Sequence, residues 1–302
     1  MIWNFLKGMA MGAADIVPGV SGGTIALLTG IYERLINGIK SVGLDTIITL
    51  KNHGVKAAWK QIDGTFLLSI LLGAATSILI FARVIHYLLE HFAVPTWAGF
   101  FGLVLACVFH VGQQVESWDI KHVFLLVVGV VLVGAISFSS ATEVQITPLI
   151  LFFAGSIAIC AMILPGISGS FILLLLGVYG QVIAAIKGFD LAVLSIFAAG
   201  CLVGIMTFSR VLAWIFKYYR SPMLALLTGF MIGALIKVWP WKAVLSYRLN
   251  SKGESVPFLD MPILPWSHSD PQILLSIVTF LIGLLGVLWL DSRGKKKALA
   301  DL

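Results

Sequence analysis

Six stretches of this chain, residues 65–90, 95–114, 122–138, 191–215, 222–239 and 272–290, are apolar over the length of a membrane span. At ~1.5 Å of rise per residue, about 20 helical residues cross the ~30 Å hydrocarbon core of a bilayer. Soluble domains carry charge on roughly a quarter of their residues; here Asp, Glu, Lys and Arg make up 11% of 302 residues. That shortage excludes a soluble enzyme, a nucleic-acid module and a disordered scaffold, and no nucleic-acid partner is expected. A transmembrane β-barrel is excluded as well, because barrel strands alternate apolar and polar residues while these segments run continuously. The expected class is an all-α polytopic membrane protein.

The chain also contains itself twice. Residues 5–40 align without gaps on residues 152–187 at a constant spacing of 147, pairing Phe5 with Phe152, Gly8 with Gly155, Gly30 with Gly177, Tyr32 with Tyr179 and Lys40 with Lys187. At the centre of the match Pro18-Gly19-Val20-Ser21-Gly22 falls on Pro165-Gly166-Ile167-Ser168-Gly169, which apolar composition alone does not produce. Further on, a spacing of 127 pairs Asp63 with Asp190, Gly73 with Gly200, Arg83 with Arg210, Pro95 with Pro222 and Gly102 with Gly229. The spacing drops because the first copy carries a longer loop, residues 41–62. Repeat one is expected over 1–140 and repeat two over 147–291, followed by a basic tail, 292–302. Each repeat reads as a helical hairpin, 2–39 or 147–186, followed by three of the apolar spans. Both hairpins break at Pro-Gly, where proline removes a backbone donor and glycine permits a sharp reversal. Broken backbone is tolerated at membrane depth only where protein or a watery cavity surrounds it. The arms are borderline for spanning, and the first carries Lys7 and Asp15, so re-entrant hairpins are expected.

Three crossings per copy make the two copies opposite in orientation, and charge agrees. With the N-terminus inside, the loop bearing Lys40, Lys51, Lys56 and Lys60, the turn with Lys217 and Arg220, and the tail with Arg293, Lys295, Lys296 and Lys297 all fall on the cytoplasmic side, as the positive-inside rule requires. Loop 139–147 has no Lys or Arg, and the long outer loop 240–271 is balanced. Trp97, Trp118, Trp214, Trp239, Trp266 and Trp289 lie near span ends, as an interfacial belt does. The N-terminus reads as retained structure, not a cleaved signal. Residues 46–62 resemble a basic interfacial segment that could gather acidic lipid headgroups, with a solvated loop as the simpler alternative.

Inverted repeats with interrupted helices place transporter sites at the repeat interface. After each break the chain restarts a helix, at Ser21-Gly22-Gly23-Thr24 and at Ser168-Gly169-Ser170. A helix start offers unpaired N–H groups, glycine lets an anion approach, and hydroxyls add donors, so each tip reads as an anion or phosphate cradle. A plain packed turn is the competing explanation, weakened by retention of Ser and Gly in both copies. Arg83 and Arg210 sit well inside their spans, where charge is costly and guanidinium suits phosphate oxygens; snorkelling, or pairing of Arg83 with Glu90, is the alternative. Asp15, whose repeat partner is the apolar Met162, is a candidate for binding H⁺ or Na⁺ or for pairing with an arginine. Glu33 and Arg34 read as an interfacial pair, and His86, Tyr32 and Tyr179 as cavity-lining or packing residues. Cys107, Cys160 and Cys201 lie in apolar runs and supply no disulfide or metal framework. No metal and no cofactor is expected.

At these motifs the chain resembles the bacterial undecaprenyl-phosphate translocases. Met11-Gly12-Ala13-Ala14-Asp15-Ile16-Val17-Pro18-Gly19-Val20-Ser21-Gly22-Gly23-Thr24 and Pro165-Gly166-Ile167-Ser168-Gly169-Ser170 carry the likeness, which extends over almost the whole chain. The resemblance implies a non-enzymatic, multi-pass plasma-membrane protein with both termini in the cytoplasm. It would return undecaprenyl phosphate from the outer to the inner leaflet for reuse in envelope synthesis. Its partners would be that polyprenyl-phosphate lipid and the surrounding membrane lipids. The rival reading is an enzyme on the same substrate class, since undecaprenyl-diphosphate phosphatases also have inverted repeats and Pro-Gly-x-Ser. There the motif continues with arginine and serine, whereas Gly22-Gly23 and Gly169-Ser170 stand here, without a clustered pair of intramembrane glutamates. An ion-coupled carrier of a small soluble anion is the remaining alternative.

Overall fold

The computed structural model describes the backbone at residues 1–17, 20–139, 146–249 and 255–300, and the side chains there except at Leu44, 248–249, 255–259 and 290–300. Pro18-Gly19, most of loop 139–147 and the side chains of the basic tail therefore lie outside the described residues. The described chain is mostly helical. Its helices are α1 (Ile2–Asp15), α2 (Gly22–Leu28), α3 (Tyr32–Ser41), α4 (Leu44–Gln61), α5 (Gly64–His91), α6 (Ala93–Gly112), α7 (Ile120–Ser137), α8 (Pro148–Ile163), α9 (Gly169–Leu175), α10 (Tyr179–Gly188), α11 (Leu191–Tyr218), α12 (Arg220–Val238) and α13 (Ile273–Ala300). Between α12 and α13 the chain forms an antiparallel hairpin of β1 (Lys242–Leu249) and β2 (Ser255–Pro262), then a 3-10 turn at Pro265–Ser267.

Five helices, α5, α6, α7, α11 and α12, are long and apolar enough to cross a membrane, and a sixth is added if the bent pair α9 and α10 counts as one span. Five of the six apolar stretches expected from the sequence are thus found as span-length helices. The remaining one, Ile273–Trp289, is a shorter apolar segment within α13. The architecture is that of a multi-pass membrane protein. Large apolar residues such as Leu79, Phe124, Val131 and Leu202 point outward from these helices, where lipid replaces water as solvent. The loop read as 41–62 contains α4, which turns sharply at Gly54 (φ 80°) and exposes Ile47, Ile48, Leu50 and Val55. Loop 240–271, expected on the outer side, contains the β-hairpin, which was not foreseen.

Helix starts follow local chemistry. Asp119 accepts the N–H groups of Lys121 and His122 at the head of α7, Asp190 those of Ala192 and Val193 at the head of α11, and Thr147 caps α8 just before Pro148. Helix pairing depends on glycine. Gly8 and Gly73 bring α1 backbone-to-backbone against α5, meeting Ile70 and Phe5; Gly155 and Gly200 do the same for α8 and α11, meeting Phe197 and Phe152. These contacts occupy corresponding positions in the two copies. The paired helices run side by side in the same direction, since Gly12 lies at Ala74 and Gly204 at Ser156. The third helix of each copy is exchanged: α7 packs on α12, and α13 packs on α6. His122 fixes the first of these pairs, its ring nitrogens 2.7 Å from Asp119 Oδ1 and 3.2 Å from Ser221 Oγ. Helix α12 is the most enclosed, with Leu224, Leu227, Met231 and Val238 fully buried in the main core.

Candidate functional site

The two broken hairpins meet each other. Past the end of α1, Ser21 caps α2 by accepting the Gly23 N–H at 3.1 Å, and its hydroxyl lies 3.2 Å from the carbonyls of Met162 and Leu164. Gly23 rests on the carbonyl of Ile163 so closely that a Cβ would collide with it. Ser21, Gly22, Gly23 and Thr24 are all buried in this contact. Asp15, at the last turn of α1, reaches forward and accepts the Gly22 N–H at 2.6 Å. The donors expected to cradle an anion are therefore engaged at the first tip, with a carboxylate of the chain itself against the Gly22 N–H.

The second tip is built differently. Leu164 is extended, and Gly166 turns the chain in the left-handed region (φ 82°), where a Cβ would press on the Phe230 carbonyl. Only glycine satisfies both demands. Ser168 makes no cap to α9; its hydroxyl lies 2.9 Å from that of Ser170, which is exposed, while Gly169 is buried. Ser168 opens instead onto a pocket of about 30 Å³ shared with Gly166, Phe171, Ser137 and Lys237. Both α2 and α9 have seven residues, so hydroxyls and local N–H groups matter more here than a macrodipole.

Neither arginine touches a tip. Arg83 is exposed on α5, with no hydrogen-bond or ion-pair partner among the described residues. Arg210 donates to the carbonyls of Met206 at 2.5 Å and Val42 at 3.4 Å. It lines a separate crevice of about 480 Å³ with Asn37, Lys40, Ser41, Gly43, Asp45 and Gln61. The structure thus brings Ser21, Gly22, Gly23 and Asp15 together with the backbone of the second tip, and sets Arg210 beside the end of α3.

Glu33 and Arg34 do not pair with each other, because adjacent helical residues face different ways. Glu33 accepts from Arg220 at 2.8 Å, and Arg34 grips Asp63 through two bonds at 2.6 and 3.1 Å while lying over the Phe66 ring. Helix α3 is thereby tied to the start of α5 and to the head of α12, and it packs along α11. Its counterpart α10 carries Gly180 and Gln181 at these positions and makes no comparable packing on α5. Tyr32 is buried against Phe216, a packing role, and His86 lies exposed 3.9 Å from Glu90. Among the described residues no cluster of His, Cys, Asp or Glu could hold a metal ion.

Lys237 was missed in the sequence because a base at the end of an apolar span reads as an interfacial residue. Its ammonium donates to Asp260 of β2 at 2.6 Å and lies 5.4 Å from the Phe171 ring of α9. Asp260 also faces Lys242 at 3.6 Å, and that ammonium lies 3.5 Å over Trp97. Burial pushes Lys242 down to about 8, against the pull of Asp260 beside it. Its repeat position offered the available signal, since the residue related to Lys237 by the spacing of 127 is His110, also a base.

The comparisons with known proteins bear on this geometry. A family model described as VCA0040-like, undecaprenyl phosphate translocase-like, matches residues 11–256. A protein of Vibrio cholerae serotype O1 named polyprenyl-phosphate transporter is 43% identical over 298 residues, covering 97% of this chain and 97% of its own. A protein of the same name from Staphylococcus aureus is 34% identical over 255 residues, covering 78% of this chain and 86% of its own. No solved structure matches the chain. With a family model covering most of its length and a near full-length relative, the chain belongs to the undecaprenyl phosphate translocase-like family.

Proposed function

We propose that this protein is a transporter that carries a polyprenyl phosphate, undecaprenyl phosphate in the first instance, from the outer to the inner leaflet of the bacterial plasma membrane. It would thereby return the lipid carrier to envelope synthesis, without chemistry on the lipid. The substrate class rests on the family and on the names of the relatives. The observation that carries the mechanism is the seating of Ser21 and Gly23 on the backbone of residues 162–164, which places two broken helices from different copies against each other.

The copies are inverted in this proposal. Helix α1 runs alongside α5 and α8 alongside α11, and three span-length helices separate the two hairpins. An odd number of crossings makes the hairpins enter from opposite faces, the first from the cytoplasm and the second from outside. Each would then re-enter, with its tip near the midplane. Alternating access follows from their unequal packing. Helix α3 is tied to Asp63 before α5 and to Arg220 at the head of α12 and packs on α11, while its counterpart α10 makes no comparable packing on α5, so the second hairpin would be the one freer to move. A phosphate would pass from Ser168, Gly169 and Ser170, with Arg83 on the outer side. It would cross past Ser21, Gly22, Gly23 and Thr24 once Asp15 yields the Gly22 N–H, and leave by Arg210 and its crevice. The polyprenyl tail would stay in lipid. Coupling to an H⁺ or Na⁺ gradient would run through Asp15.

Proteoliposomes carrying labelled undecaprenyl phosphate test the path. Arg83→Ala and Arg210→Ala are each expected to slow headgroup translocation by at least about tenfold, the weight of a lost charge-assisted contact, while melting like the wild type. Wild-type rates in both variants would overturn the arginine assignment.

A further inference from the structure

Where β1 and β2 fold back over the helices, three charged groups are gathered away from solvent. The side chains of Lys237, Lys242 and Asp260 are 16%, 11% and 18% exposed. Among the described residues one carboxylate is shared between two ammonium groups whose other neighbours are the Phe171 and Trp97 rings, so positive charge exceeds negative there, and part-buried charge without an ionic partner is costly. Anchoring the hairpin does not require it. The indole N–H of Trp239 donates to the Ile263 carbonyl and that of Trp241 to the Pro271 carbonyl, both at 2.9 Å, and the Ile263 N–H closes onto Trp241. The excess charge borders a cavity with hydroxyls in it, since Lys237 lines the same pocket as Ser168 and Ser137. At about 30 Å³ the pocket has room for about two waters and not a phosphate, so an anion enters only if a group at its edge moves.

We propose that Lys237, Lys242 and Asp260 form a phosphomonoester-binding site at the mouth of the second hairpin, in which Asp260 is a resident anion that the incoming headgroup displaces. The headgroup would take over the Lys237 and Lys242 ammonium groups and reach the Ser168 hydroxyl, and Asp260 would swing to solvent by a change of rotamer while the tryptophan-anchored base of the hairpin stays in place. The site deepens the transport proposal and rests on it for its position: the loop between α12 and α13 faces outward in that orientation, so this is where a headgroup in the outer leaflet would be collected. A carboxylate is the natural placeholder, because it matches a phosphate in sign and in acceptor geometry and keeps the lysines paired while the site is empty.

A purely structural ion cluster and an exchangeable one differ in the sign of one effect. Purified protein in nanodiscs is titrated with a fluorescent short-chain polyprenyl phosphate, with inorganic phosphate as competitor, and every variant is melted in parallel. Asp260→Asn removes the internal competitor and is expected to tighten binding about fivefold to tenfold, even as it lowers thermal stability. Lys237→Met is expected to weaken binding by about tenfold or more, and Lys237→Arg to stay near wild type, in line with the strength of charged hydrogen bonds. Asp260→Asn that binds no more tightly than wild type, or Lys237→Met that binds equally well, overturns the proposal. Should Lys237→Met fail to fold, Asp260→Asn alone decides. Competition by millimolar inorganic phosphate shows that the phosphate group alone suffices for the site, and its absence that the lipid-linked headgroup is required; both support a phosphate-recognising site. Wild-type protein that shows this pattern of signs yet moves no lipid refutes transport and leaves the site standing. Lipid movement without the pattern refutes the site alone.

Discussion

Ser21 and Ser168 occupy the same place in the repeated motif, yet their surroundings make them different residues. Ser21 is 2% exposed; its oxygen accepts the N–H of its own helix start, and its single O–H is shared between two carbonyls across the tip interface. Ser21→Ala therefore strands the buried Gly23 N–H and removes the one hydroxyl donor shared by two carbonyls, and should lower unfolding free energy by about 1–3 kcal/mol, read as a lower melting temperature in detergent. Among the described residues the Ser168 hydroxyl meets the Ser170 hydroxyl and borders the pocket. Ser168→Ala should change stability by less than about 0.5 kcal/mol while slowing transport, which separates a structural serine from a substrate-facing one. The repeated motif was legible in the sequence; that Arg83 stands exposed on α5 and Arg210 beside the end of α3, both away from the tips, was not. The division of labour between the copies was not, because it depends on which carbonyls lie opposite each hydroxyl. Asp15 illustrates the same point. Its position before the break marked it, but only the fold shows it holding the Gly22 N–H that an anion would otherwise take.

Among the elements, spans were legible and their attachments were not. A long apolar run has one stable form in lipid, so composition alone located α5, α6, α7, α11 and α12. The strands β1 and β2 escaped notice because Pro257 and Pro262 interrupt the second, and a proline is a poor strand residue except at an edge. Close helix crossings could be anticipated only as repeated glycines. A side chain at Gly73 or Gly200 would strike the backbone of Phe5 or Phe152, with no flexible atom to give way. Gly73→Val and Gly200→Val should each cost more than about 2 kcal/mol, seen as loss of folded protein on size-exclusion chromatography, while Gly180→Val, with open space around it, should be tolerated. Helix α3 makes a different prediction. Its pair Glu33–Arg220 is about half exposed, so Glu33→Gln should leave melting nearly unchanged. It should nevertheless favour opening of the cytoplasmic side, measured as faster labelling of a cysteine placed at Asn37 in the neighbouring crevice.

For the molecule as a whole, the scarcity of charge has become a map. Arg34, Asp63, Glu33 and Arg220 strap one hairpin, while Lys237, Lys242 and Asp260 gather beside the other. Arg83 and Arg210 stand on helices between them. Two copies of one sequence motif are thus held by different sets of charges, two exposed ion pairs at one and a shared carboxylate beside the other. The exchange of α7 and α13 packs the third helix of each copy onto the other copy. The most direct test of the central claim is the leaflet-resolved rate at which undecaprenyl phosphate crosses vesicles containing the purified protein, followed beside uptake of inorganic phosphate and release of phosphate from undecaprenyl diphosphate. The account predicts rapid lipid crossing, with no inorganic phosphate uptake and no phosphate release. Lipid crossing no faster than in protein-free vesicles, or crossing replaced by either of the other two activities, would contradict it.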